Sequence, residues 1–185
     1  MLQVNFASFP TLTTERLTLR QMSRADAPAL FILRADPEVM KYIPRPLAQS
    51  LDDVVQYIDK VNEMVGRHEL INWGVTLRDD SQIIGTIGYV GIKPEHYCAE
   101  VGYMLRPDLQ GTGLMQEALT AVLQYGFRTL HLHSVEALID PDNVASARLL
   151  ERNRFVKEGH FKENEFWDGK FLDTVYYSLL ESNKR

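Results

Sequence analysis

The chain has 185 residues, 45% of them hydrophobic and 24% charged, with a formal net charge of -5 and a pI of about 5.5. That is the composition of one globular domain able to bury its own core, and its acidic balance argues against a nucleic-acid or anionic-membrane partner. The single cysteine, Cys98, excludes an internal disulfide and a cysteine-built zinc site; no apolar run nears the roughly 20 residues of a membrane span, and residues 1–14 lack signal-peptide character, so a cytoplasmic protein is expected.

Residues 16–21 alternate, Leu17 and Leu19 against Thr18 and Arg20, which predicts a strand. Ser23 and Asp26 stand at capping-box spacing before a helix with Ala27, Leu30 and Phe31 on one side, stopped by Asp36-Pro37. Ser50 and Asp53 repeat that spacing. Leu51, Val54, Val55, Ile58, Val61 and Val65 then form an apolar stripe of helical period, closed by Gly66. Strands follow at 71–77, 83–92 and 97–105. In the last, Tyr97, Ala99, Val101, Tyr103 and Leu105 share one face; Cys98, Glu100, Gly102 and Met104 share the other. Residues 114–127 carry the clearest amphipathic helix. A strand at 132–139, a short helix at 144–153 and strands at 154–161 and 171–180 complete the chain. The reading is a mixed α/β sheet with helices packed on it: one domain over 13–180, an N-terminal extension 1–12 and a tail 181–185.

The segment with most chemical content joins the third of these strands to the long helix. Pro107 and Asp108 end the strand, and Gly111 and Gly113 allow positive φ and close approach of a ligand to the backbone. The helix that follows offers unsatisfied N–H groups and a positive dipole end, a ready site for a diphosphate. A plain glycine-rich helix start is the alternative. A dinucleotide fingerprint fits poorly, because Gln116 stands where a third glycine belongs, and no Walker loop occurs.

Gln110-Gly111-Thr112-Gly113 opening a helix resembles the pyrophosphate loop of the GNAT N-acetyltransferases. The likeness extends in order through Thr14-Glu15-Arg16-Leu17-Thr18-Leu19-Arg20, Asp36-Pro37-Glu38-Val39, Ile84-Gly85-Thr86, Ala99-Glu100-Val101-Gly102-Tyr103, Glu117-Ala118-Leu119, Asn143 with Ser146, Glu151-Arg152 and Phe155 with Glu158-Gly159. It is similar to the branch containing the ribosomal-protein alanine N-acetyltransferases.

The resemblance implies an α/β (α+β) GNAT fold: a mixed, mostly antiparallel sheet splayed at its fourth strand, with helices on both faces. It implies acetyl-CoA as co-substrate, its pantetheine arm bonded to the backbone of Met104, Leu105 and Arg106 and to Asn143. The diphosphate then lies on Gln110, Gly111, Thr112, Gly113, Leu114 and Met115. Met115 and Arg154 depart from the pattern, each standing where the family has a smaller residue. Arg154 falls at a left-handed position, which Asn153 is able to take instead.

Amine acetylation needs a base for the incoming ammonium and a donor for the departing thiolate. Glu100, on its strand, and Glu165, placed in a loop between the last two strands, are the candidate bases; a solvated carboxylate is the plain reading of each. The family's thiolate-protonating tyrosine position holds Leu150, and Ser146, one helical turn after Asn143, is the replacement donor. Asn143 also reads as a helix N-cap. His131, His133 and His160 show no metal-ligand spacing, so no metal is expected. Segments 41–50 and 161–170 supply Tyr42, Arg45, Phe166 and Trp167 to an aromatic-rimmed acceptor site. The acceptor is a primary amine, on a protein N-terminus or a small molecule; a non-catalytic CoA-binding sensor is the alternative, and monomer and homodimer both stay open.

Overall fold

Two capping boxes and the strand alternation set the frame. The computed structural model describes residues 1–184. The two-residue strand β1 (Leu12–Thr13) and strand β2 (Leu17–Arg20) come first. Ser23 and Asp26 then exchange hydrogen bonds around a one-turn 3-10 helix that leads into α1 (Ala27–Arg34). Asp26 is buried against Arg20 at 2.6 Å. Burial alone would raise its carboxyl, but the guanidinium and the Ser23 amide hold it below the ordinary range. Asp36 caps a further turn, α2 (Pro37–Met40), which the sequence reading did not anticipate: the proline that stops one helix opens the next. Ser50 and Asp53 form the second box at the head of α3 (Leu51–Gly66). The left-handed residue after α3 is His68, at φ 61, and its Nδ1 accepts from the Phe6 amide at 3.1 Å.

The rest follows as β3 (Ile71–Leu77), β4 (Ile83–Lys93), β5 (Cys98–Leu105), α4 (Leu114–Arg128), β6 (Ser134–Ile139), α5 (Val144–Arg152), β7 (Val156–Trp167) and β8 (Lys170–Leu180). The strands form one eight-stranded sheet in the order β1-β2-β3-β4-β5-β6-β8-β7. Every pairing is antiparallel except β5 with β6. The expected mixed, mostly antiparallel sheet is therefore present. The family's fourth strand is β5 here, because the short β1 precedes it.

Helices cover both faces. On one, Tyr89 donates to the Val122 carbonyl of α4 at 2.8 Å, and Trp73 meets Tyr125 edge-on at 5.5 Å. Gly126 is obligatory there, since a Cβ would lie 2.0 Å from the Tyr89 hydroxyl. On the other face, Asn72 of β3 donates to the Tyr57 hydroxyl of α3 at 3.2 Å. Residues 1–12, read as an extension, add Leu2 and Phe6 to the core, and the Pro10 carbonyl accepts from the Trp73 indole at 2.7 Å.

Three local readings need correction. Tyr97 adopts φ 51 ahead of β5 and is exposed, so the shared face begins at Ala99. Arg154, not Asn153, takes the left-handed position, at φ 66. The segment 161–170 is not a loop but the outer end of a long hairpin whose turn is Asp168-Gly169, both at positive φ. Glu165 therefore sits on β7 opposite Leu172.

Candidate active site

The glycine-rich turn is held from beneath by its own side chains. Gln110 Nε2 donates to the Leu105 carbonyl at 3.2 Å, and Thr112 Oγ1 donates to the Leu109 carbonyl at 2.6 Å. Gly111 and Gly113 lie at φ 76 and 82, a conformation that costs other residues roughly 1–2 kcal/mol. Gly113 precedes α4 and no side chain caps that helix, so its first-turn amides stay open. Leu114 and Met115 turn their side chains into the core while their amides remain in the turn. The turn borders a cavity of about 370 Å³ lined by Leu105, Gln110, Gly111, Gly113, Asn143 and Ser146, among others. Arg106 and Thr112 flank it: Arg106 pairs with Asp108 at 2.6 Å, and its amide donates to the Ile84 carbonyl at 2.9 Å.

The cavity continues into a split in the sheet. The parallel pairing of β5 and β6 covers only the rungs Cys98–Ser134, Ala99–Val135 and Glu100–Glu136. Beyond Glu100, β5 has no neighbour on that side, while it stays paired to β4 as far as Leu105. Backbone groups alternate sides along a strand. Since the Arg106 amide faces β4, the amides and carbonyls of Leu105 and Tyr103 face the split and those of Met104 face β4.

A polar cluster lies at the vertex of the split. Glu136, only 4% exposed, accepts from Lys93 Nζ and from the Tyr176 hydroxyl, the latter at 2.5 Å. Burial would raise its carboxyl, but these two donors hold it below the ordinary range. Glu100 occupies the same rung and has no such donors. Burial first, then the Glu136 charge, push its carboxyl up, against the pull of Lys93 and Arg45. Two neighbouring carboxylates are thus driven apart in proton affinity, the arrangement that separates acid from base roles. Cys98 lies beside them, buried, its thiol also pushed up by burial.

A pair of hydroxyls borders the same cavity. Ser146 is buried on α5, where its amide donates to the Asn143 side chain at 3.1 Å. Its Oγ lies 2.5 Å from the Tyr103 hydroxyl, and burial pushes that phenol up to about 12. Leu150 is fully buried and is not among the residues lining this cavity. On the far side of α2 a second cavity of about 280 Å³ is lined by Tyr42, Arg45, Leu138, Glu165 and Trp167, with Asp140 and Asp173. Phe166 lies outside it, tilted at 58° against Phe171 with ring centroids 5.0 Å apart. Tyr42 and Ile43 line both cavities.

A family model described as an acetyltransferase (GNAT) domain matches residues 16–156. The chain belongs to the GNAT acetyltransferase family. An uncharacterized N-acetyltransferase, YoaA, of Bacillus subtilis (strain 168) is 34% identical over 173 residues, covering 94% of this chain and 98% of that one. The ribosomal protein uS5 alanine N-acetyltransferase of Escherichia coli (strain K12) is 31% identical over 91% of this chain and 89% of its own. A GNAT-family acetyltransferase structure from Bacillus anthracis superposes with a TM-score of 0.83 at 29% identity, covering 94% of this chain and 99% of that one. The chain is an N-acetyltransferase, which sets the sensor reading aside.

Within this GNAT domain the structure brings Gln110, Gly111, Gly113, Leu105, Asn143 and Ser146 around one cavity and Glu165 to the other, with Glu100 where the sheet parts. Sequence reasoning missed Tyr103 and Glu136. Tyr103 alternates with core residues and reads as core; only the split uncovers it. Glu136 carries a signal in principle, a lone carboxylate between Val135 and Ala137 in an apolar strand.

Proposed function

We propose that this enzyme transfers an acetyl group from acetyl-CoA to a primary amine, the α-amine of a protein N-terminus. One observation carries the reading: the sheet opens immediately past Glu100, with the glycine turn's cavity beside the opening and a second cavity that shares Tyr42 and Ile43 with the first. The residues fit the co-substrate. The open backbone of Tyr103 suits the amides of an extended arm, at Leu105 the amide is open while the carbonyl holds Gln110, and left-handed glycines ahead of an uncapped helix suit a diphosphate. Leu105 and the turn Gln110–Met115 are the binding groups, with Asn143 Nδ2 toward the arm while its Oδ1 caps α5. Met104 and Arg106 contribute strand geometry through their bonds to β4.

When bound, acetyl-CoA supplies an activated acyl carbon. Glu100 takes the proton of the incoming ammonium, aided by its raised proton affinity. The amine nitrogen bonds to the acyl carbon, and the Leu105 amide donates to the oxygen where charge develops. As the carbon–sulfur bond breaks, the nitrogen sheds its second proton, which balances the one the departing sulfur takes up through Ser146, with Tyr103 behind Ser146 as the hydroxyl that orients it. Glu165 and Arg45 orient the acceptor in the second cavity, whose size admits one residue and leaves a peptide to continue outward. The uS5 alanine N-acetyltransferase named above supports that acceptor class. Thiol release is measured with acetyl-CoA and a panel of short peptides, polyamines and free amino acids. Turnover confined to polyamines rejects the N-terminal acceptor; failure of every amine rejects the reading.

A further inference from the structure

Two segments of the family-like pattern, Thr14-Glu15-Arg16 and Glu117, take no part in the site described above, yet they meet each other beside it. One carboxylate, Glu117 in the first turn of α4, accepts from Thr14 Oγ1 at 2.5 Å, from the Arg16 amide at 2.8 Å and from Arg16 Nε at 2.7 Å. Burial would raise that carboxyl, but these donors hold it below the ordinary range. With Nε so engaged, Arg16 Nη1 reaches the Thr112 carbonyl at 3.2 Å, and Nη2 lies 3.5 Å from where a Cβ on Gly113 would be.

We propose that Arg16 and Glu117 are positioning residues that preset the diphosphate turn. A trans peptide directs its C=O and N–H in opposite senses. Arg16 pins the Thr112 carbonyl on the outer side of the turn, so the Gly113 amide points toward the cavity that Gly113 lines. A turn with two left-handed glycines otherwise has many conformations to lose on binding, and ordering it in advance spares that cost. Arg16 also neutralises the Glu117 charge, which otherwise faces a diphosphate from the first turn of the same helix. Thr14 and the Arg16 amide fix the carboxylate, and the fork geometry explains why a guanidinium is used.

This inference rests on the diphosphate reading of the turn, and the test separates the two. Affinity and KM are measured for acetyl-CoA and for S-acetylpantetheine, which lacks the diphosphate, in wild type, Arg16→Gln, Arg16→Lys and Glu117→Gln. Arg16→Gln is expected to weaken acetyl-CoA binding roughly tenfold, with the loss on KM rather than kcat and S-acetylpantetheine unaffected. Arg16→Lys, charged but without the fork, falls between, and Glu117→Gln, which frees the fork, shows the same selective loss. An equal loss for both thioesters, or none, overturns the positioning role. If wild type itself does not prefer acetyl-CoA over S-acetylpantetheine, the diphosphate placement fails and the inference with it.

Discussion

In the first cavity the groups that face the ligand space are mostly backbone: the turn amides, the uncapped end of α4 and the unpaired edge of β5. The second cavity is walled by side chains from places far apart in sequence, Tyr42 and Arg45 after α2, Leu138 on β6, Glu165 and Trp167 on β7. A backbone-built site depends on where glycines sit and how the chain is tied, and it is indifferent to most neighbouring side chains. A side-chain-built site is retuned by single substitutions. One fold can therefore keep a fixed donor while its acceptor varies.

That contrast is open to test. Glu100 stands between the two regions, so Glu100→Gln is expected to lower kcat on the order of a thousandfold while leaving affinity for either substrate near wild type. Wild-type kcat/KM rises with pH as Glu100 loses its proton, through a value above the ordinary glutamate range; the variant lacks that limb in a pH-rate profile. The linkage has a sign. A carboxyl that binds its proton more tightly folded than unfolded stabilises the fold below the unfolded value, and that contribution is lost as pH rises through the folded one. Glu100→Gln is therefore expected to gain Tm over wild type as pH rises, read by thermal melts across pH.

Gly113→Asp attacks the backbone-built region, through φ 82 and through a negative charge against the diphosphate. Calorimetry is expected to show CoA affinity down at least a hundredfold, about 2.8 kcal/mol, with acceptor affinity unchanged. Ser146→Ala is expected to cost about tenfold in kcat with CoA affinity retained. Tyr103→Phe falls in the same range, and the double variant loses little more than the worse single, because the hydroxyls act as a unit. Trp167→Ala sharpens the comparison from the other side: acceptor KM rises about fivefold, in keeping with a partly exposed aromatic contact, and acetyl-CoA KM does not move. Loss of acetyl-CoA affinity in that variant would break the division.

The legibility of the two regions in sequence differs for the same reason. Glycines at 111 and 113, a proline at 107 and the stripe along α4 report backbone conformation directly, and the capping boxes at Ser23 and Ser50 formed where the spacing placed them. The hairpin is not legible in the sequence because Lys162, Glu163, Asn164 and Glu165 are all exposed, and a strand exposed on both sides has no apolar period to detect. Arg154 had to be seen: a backbone demand was met without glycine. Tyr103 gains its neighbour from α5 and Glu136 gains its own from β4 and β8, contacts that local pattern does not encode.

Tyr42 and Ile43 form a partition touched from both cavities. A guest that displaced either residue from one side would change the surface met from the other, and donor and acceptor binding would then be coupled. By thermodynamic reciprocity, whatever factor the thioester imposes on amine affinity, the amine imposes on the thioester. The wall is common to both cavities, so a substitution at Ile43 is expected to change acetyl-CoA and acceptor affinity together.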